Sequence, residues 1–128
     1  MITMEELSKY RQRLRQLIDV IDKLAYQCAH TDPLIQGTPN EVYRTCGQKN
    51  CPCASDRGAR HGPYRVIQVY RNKKQRQIAL RQEQQEIWQQ AKNYQKQKKT
   101  LLLLKRTCKE LTETVQEVLI KRLEELPR

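Results

Sequence analysis

The sequence predicts an α+β protein in which two long amphipathic, coiled-coil-like helices flank a small β-hairpin module stapled by cysteine and histidine. Three observations carry that prediction. A heptad seam runs through residues 3–30, a β-rich stretch with a polar turn follows a cysteine cluster in residues 31–81, and residues 82–126 contain neither glycine nor proline. These three stretches are the expected segments of the chain.

The first helix is the clearest. Thr3, Met4, Glu5 and Glu6 have the capping-box form, in which a hydroxyl accepts from the backbone and the glutamate reaches back. Leu7, Tyr10, Leu14, Leu17, Ile21, Leu24 and Cys28 follow in alternating steps of three and four. So narrow a stripe fits a helix packed within its own domain, and equally a coiled coil within or between chains. Pro33 ends the run, because proline disfavours helical geometry in the residue before it.

In the middle segment Gly37, Pro39 and Asn40 break the chain before a short strand over residues 42–45. Residues 63–70 are rich in β-formers, residues 71–74 read as a turn, and residues 75–80 return as the second strand of a hairpin. From residue 82 the pattern is helical again, with an approximate seam of Ile87, Ala91, Tyr94, Leu101, Leu104, Cys108, Leu111, Val115 and Val118. The first helix can lie antiparallel against the later half of this one.

Charge is distributed unevenly. The chain holds 25 Lys and Arg against 14 Asp and Glu, a formal net charge of +11. Ten of those bases lie in residues 44–81, where Asp56 is the only acid, and six more follow in residues 82–106 against Glu83 and Glu86. A contiguous electropositive region between nearly balanced ends is the footprint of a polyanion site. The candidate contacts are Arg57, Arg60, Arg65, Arg71, Lys73, Lys74, Arg76 and Arg81, with Tyr64 and Tyr70 available for stacking. The plainer reading of any charge run is a solvated face. Contacts of this kind reach mostly phosphate, which predicts weak sequence preference and steep salt dependence.

Cys46, Cys51, Cys53 and His61 form a Cys-x4-Cys-x-Cys-x7-His set. Three thiolates and one imidazole complete the tetrahedral shell of an N/S-preferring ion, so a structural Zn²⁺ is the expected cofactor. Nearby bases favour thiolate over thiol. The alternative is three reduced cysteines in a turn with His61 hydrogen-bonded or facing a phosphate. Cys28 and Cys108 fall on helix seams and are expected to be buried, and His30 is expected to cap the first helix or lie on its surface.

Several functions are disfavoured. Nucleophilic Cys/His catalysis needs a pocket and an orienting third group, and no pair of carboxylates stands in the basic region for metal-assisted phosphodiester chemistry. A non-enzymatic protein is expected. No run approaches the ~20 apolar residues of a membrane span, and no apolar export signal follows residue 1. A cytoplasmic protein with free or metal-bound thiols is the corresponding expectation.

The stretch from Cys46 through Gly47, Gln48, Lys49, Asn50, Cys51 and Pro52 to Cys53, continued by His61, Gly62, Pro63 and Tyr64, resembles a group of small prokaryotic proteins. That group has a CG-x3-C-x-C…HGPY signature, a β-hairpin after it and a helical tail. The likeness covers roughly residues 37–104, with the first helix similar in type only. Its pattern usually has a basic residue where Pro52 stands here. Members are often encoded beside transposases or integrases. The resemblance therefore implies a DNA-linked accessory or regulatory role in recombination or transposition, and favours DNA over RNA as the partner. Its helices would then pair in a homodimer or dock on a larger protein. Two other roles stay open: a coiled-coil adaptor, and an RNA-binding subunit of a ribonucleoprotein.

Overall fold

A computed structural model describes residues 1–127. The elements are α1 (Met4–Ala29), β1 (Thr38–Arg44), β2 (His61–Arg71), β3 (Lys74–Ala79) and α2 (Gln85–Lys121), with short 3-10 turns at Pro52–Ala54, Arg57–Ala59 and Gln82–Gln84. They divide into two compact units. One joins residues 1–31 to the chain from Gln97 onward, and the other comprises Asp32–Lys96. Residues 85–96 of α2 belong to the second unit and its later residues to the first. Among the described residues no helix is long and apolar enough to cross a membrane.

The first unit is a helical hairpin. Thr3 accepts from the Glu6 backbone at 3.1 Å and Glu6 accepts from the Thr3 backbone at 3.0 Å, so the expected capping box closes α1 at its start. His30 caps the other end, with its ring stacked on Tyr26 at 3.9 Å and Nδ1 3.0 Å from the Tyr26 carbonyl. Every predicted seam residue of α1, Leu7, Tyr10, Leu14, Leu17, Ile21, Leu24 and Cys28, is buried or half-buried, while the rest of the helix is exposed. The Tyr10 hydroxyl donates to Glu117 at 2.6 Å, and Arg13 pairs with Glu110. One partner number rises as the other falls, so the two helices run antiparallel.

The facing seam on α2 differs from the expected one. Gln97, Thr100, Leu104, Thr107, Leu111, Thr114 and Val118 are the covered residues, whereas Leu101, Cys108 and Val115 are exposed. The stripe is displaced by one residue at three positions because threonine can be buried without an unpaired hydroxyl. Thr107 Oγ1 donates to the Leu103 carbonyl at 2.8 Å, and Thr114 Oγ1 to that of Glu110 at 2.7 Å. The methyl group is then left to pack. Of the two cysteines expected to be buried, Cys28 is only half-buried and Cys108 is exposed.

The second unit is built on a three-stranded antiparallel sheet in the order β1-β2-β3, so the predicted hairpin has a third strand. Pro39 and Asn40, expected to break the chain, pair instead with Ile67 and Val66, and Thr38 pairs with Gln68. Proline is tolerated there because β1 is an edge strand and its missing N–H costs no ladder bond in the sheet interior. On β2, Val66 and Ile67 point to opposite faces and are 0% and 3% exposed, so the sheet is covered on both faces at that level. The other buried side chains of the unit are Ala91 on α2 and Cys53. The β2–β3 turn consists of Asn72 and Lys73 with φ of 52° and 61°, the doubly left-handed form whose twist matches a two-residue hairpin.

Candidate metal centre and cationic surface

The four predicted ligands come from three local devices. Cys46 follows β1. Cys51 and Cys53 flank Pro52, which opens a 3-10 turn, and His61 is the first residue of β2. Gly47, at φ 80°, reverses the chain between the first two cysteines. The register shifts between Val42 and Arg44, with Tyr43 alone facing Gly62 and Pro63, so a bulge re-aims the start of β2 where His61 stands. A Cβ on Gly62, whose φ is 140°, would lie 2.7 Å from the Val42 carbonyl oxygen, so only glycine fits this approach.

The donor atoms of Cys46, Cys51, Cys53 and His61 all lie within 4.8 Å of one another. Cys46 Sγ is 3.5 Å from Cys53 Sγ, and Cys51 Sγ is 3.3 Å from His61 Nε2. A tetrahedral zinc with Zn–S near 2.3 Å and Zn–N near 2.0 Å needs S···S edges of roughly 3.7 Å and S···N edges of roughly 3.5 Å. Donor chemistry and spacing thus both fit a metal ion. Cys53 is buried, Cys51 half-buried, and Cys46 and His61 exposed.

Electrostatics within the cluster separate two of the thiols. Cys51 is lowered to about 6, first by the Cys53 backbone N–H, then by the Cys53, His61 and Cys46 side chains. For Cys53, the Cys46 N–H donates to its sulfur at 3.4 Å and favours the thiolate. Burial and the neighbouring sulfurs outweigh that bond and push the Cys53 thiol up. A divalent cation would resolve this conflict by stabilising all the thiolates together.

The predicted cationic residues are placed in three settings. Arg57 and Arg60 are exposed on the 3-10 turn between the cysteines and β2. Arg71, Lys73, Lys74 and Arg76 are exposed around the tip of the β2–β3 hairpin. Arg81 is exposed after β3, where its backbone joins the start of α2 through Gln84 and Gln85. Arg65 differs, because its guanidinium is engaged inside the unit. It lies 4.1 Å from the centroid of Trp88, donates to Gln85 Oε1 at 2.7 Å, and stands 4.0 Å from Glu41. Lys92 approaches the same ring at 4.7 Å. Sequence reasoning passed over Trp88, although it is the chain's only tryptophan and sits one helical turn before Lys92. Tyr64 and Tyr70 are exposed, at 47% and 73%.

Comparison with known proteins places this geometry in a family. Residues 7–90 match DUF6788, a domain of unknown function. The chain belongs to this family. The DUF6788 region begins within the first turn of α1, takes in the rest of that helix, all four candidate ligands and the whole sheet, and stops within α2. It therefore reaches further toward the N-terminus than the resemblance over residues 37–104, in which α1 was similar only in type. No curated protein and no solved structure matches the chain.

Proposed function

We propose that this DUF6788 protein is a non-catalytic nucleic-acid-binding subunit, with DNA as its partner and a structural zinc holding its β unit in shape. The observation that carries the reading is the hairpin tip. Arg71, Lys73, Lys74 and Arg76 are all exposed there, and the sequence has no acid from residue 57 to residue 82 to neutralise them. Cations held apart from internal acids are available to phosphates, and each phosphate neutralised releases counterions.

The zinc assignment rests on the donor set and on magnitudes. Val66 and Ile67 are the large side chains buried in this unit, and burying each contributes roughly 1.5–3 kcal/mol. A structural zinc contributes about 10–16 kcal/mol in apparent binding free energy near neutral pH. A unit with so little apolar core gains far more from the ion than from any one residue. The cluster then acts as a staple and has no open coordination position for chemistry.

An accessory or regulatory role in recombination or transposition follows from the resemblance of the cysteine and HGPY segments. In that role the helical unit supplies pairing with a second copy or docking on a larger enzyme. The experiment is a gel shift with duplex DNA, single strands and structured RNA at about 50 mM salt, where phosphate contacts are strongest. Duplex DNA should be retarded. Failure to bind any of the three would leave the adaptor reading in its place.

A further inference from the structure

Beyond Val69 the β2–β3 hairpin leaves the covered part of its unit. Every residue from 70 to 77 is exposed, and all six residues of β3 are exposed whichever face they occupy. From Tyr70 to Gln75 the hairpin is a two-stranded ribbon beyond the last β1 pair, Thr38 with Gln68. In an antiparallel ladder, directly opposed residues project from the same face. The register pairs Gln68 with Gln77 and Tyr70 with Gln75, and pairs Val69 with Arg76 and Arg71 with Lys74. The arm is therefore divided chemically: one face carries three amides and a phenol ring, and the other carries three cations.

The amide face is already ordered. Arg44 donates to Gln77 Oε1 at 3.0 Å, and Gln75 Nε2 lies 3.5 Å from Gln68 Oε1. Gln77 retains its NH2 donors and one carbonyl lone pair, and the Gln75 carbonyl is not used in that contact. Glutamine with both a donor and an acceptor free is the side chain that pairs with N6 and N7 of adenine in the major groove.

We infer that the β2–β3 arm lies in the major groove of duplex DNA and reads adenine-containing sequence through Gln75 and Gln77, with Gln68 holding Gln75 in position. This inference rests on the nucleic-acid reading above and deepens it. Two strands about 4.8 Å apart, with their side chains, fit a groove about 12 Å wide. The deep, narrow major groove of A-form RNA excludes such a ribbon. Tyr70 lies beside the amides and meets thymine methyl groups. Arg71, Lys74 and Arg76 fold round the strand edges to the phosphates of the groove walls. The arm then has sequence preference in addition to charge, which the cationic residues alone do not provide.

The test is selection of the full chain on random-sequence duplex DNA, followed by competition between the enriched duplex and a scrambled one. Enriched duplexes should share adenines at fixed spacing and outcompete the scrambled duplex by about 5- to 150-fold per amide contact. Replacing those adenines by 7-deazaadenine leaves the protein untouched and should remove the preference. The double variant Gln75→Ala with Gln77→Ala should bind enriched and scrambled duplexes alike, at the wild-type affinity for the scrambled one. Binding of scrambled DNA without any enrichment, no effect of 7-deazaadenine, or stronger binding to an RNA duplex of the enriched sequence would each overturn the inference while leaving nucleic-acid binding in place. Absence of binding to any duplex would instead remove the reading beneath it.

Discussion

The guanidinium of Arg65 lies over the indole of Trp88, 4.1 Å from its centroid, and ties the central strand of the sheet to the first turns of α2. The same group donates to Gln85. A stacked cation contributes about 0.5–2 kcal/mol depending on its desolvation, and a charge-assisted hydrogen bond adds about 1.5–3 kcal/mol. Because the Arg65 side chain is 41% exposed, solvent screening discounts both contributions, and Arg65→Ala should lower the urea midpoint of the β unit by the equivalent of about 1–3 kcal/mol. Its salt dependence of nucleic-acid binding should stay close to wild type. A stable Arg65→Ala variant with a flattened salt slope would place Arg65 among the phosphate contacts instead.

Metal removal should be the most damaging single change to the β unit. Elemental analysis of the purified protein should return close to one zinc per chain. Stripping it with a strong chelator should collapse the sheet in far-UV circular dichroism and alter the fluorescence of Trp88, the only tryptophan. Cys53→Ser should mimic the stripped state, since Cys53 is 2% exposed and cannot be replaced by a ligand from outside. Less than half an equivalent of zinc, with the fold intact, would favour reduced thiols in a turn.

Lys73 should show opposite signs in stability and binding. Its φ of 61° is left-handed backbone, which costs a non-glycine L-residue about 1–2 kcal/mol. Lys73→Gly should stabilise the hairpin by up to about 1 kcal/mol after the extra chain entropy of glycine is subtracted. The same variant should bind duplex DNA more weakly, because one exposed cation at the tip is gone. Thermal unfolding and a binding titration on one preparation decide it. A loss of stability would mean the turn is not strained by its lysine.

In the helical unit, two seam positions should respond differently. Leu17 is 3% exposed, and Leu17→Ala should cost about 2–5 kcal/mol by opening a cavity. Thr107 is 7% exposed, but its hydroxyl bonds within its own helix. Thr107→Val keeps the volume and removes both the donor and the need for a partner, so it should change stability by less than about 1 kcal/mol. Chemical denaturation of the two variants separates a seam held by packing from one held by that hydroxyl.

The legible parts of the sequence were those governed by strong local rules. The capping box of Thr3 and Glu6, the heptad seam of α1 and the turn after Arg71 each express backbone geometry that a few adjacent residues settle. The four candidate ligands were visible because their donor chemistry is distinctive, and the structure brings all four together. Less visible were features that depend on partners distant in sequence. Pro39 lies in a strand because β1 is at the sheet edge, a property of topology. Thr107 displaces Cys108 from the α2 seam because its hydroxyl is satisfied locally, which a scale of hydrophobicity does not register. Arg65 carries the same charge as Arg71, and only the fold separates one engaged with Trp88 from one open to solvent.

Exposed cations at the hairpin tip are proposed to hold a polyanion, and the salt slope of binding measures that contact. Affinity for duplex DNA should be determined at several salt concentrations for the wild-type chain and for a variant carrying Arg71→Ala, Lys73→Ala, Lys74→Ala and Arg76→Ala. Each phosphate contact contributes about −0.9 to the slope of log K against log salt, so losing four should flatten it by roughly 3 to 4. Wild-type binding that is independent of salt, or a slope unchanged in a folded quadruple variant, would rule out the hairpin tip as the phosphate contact.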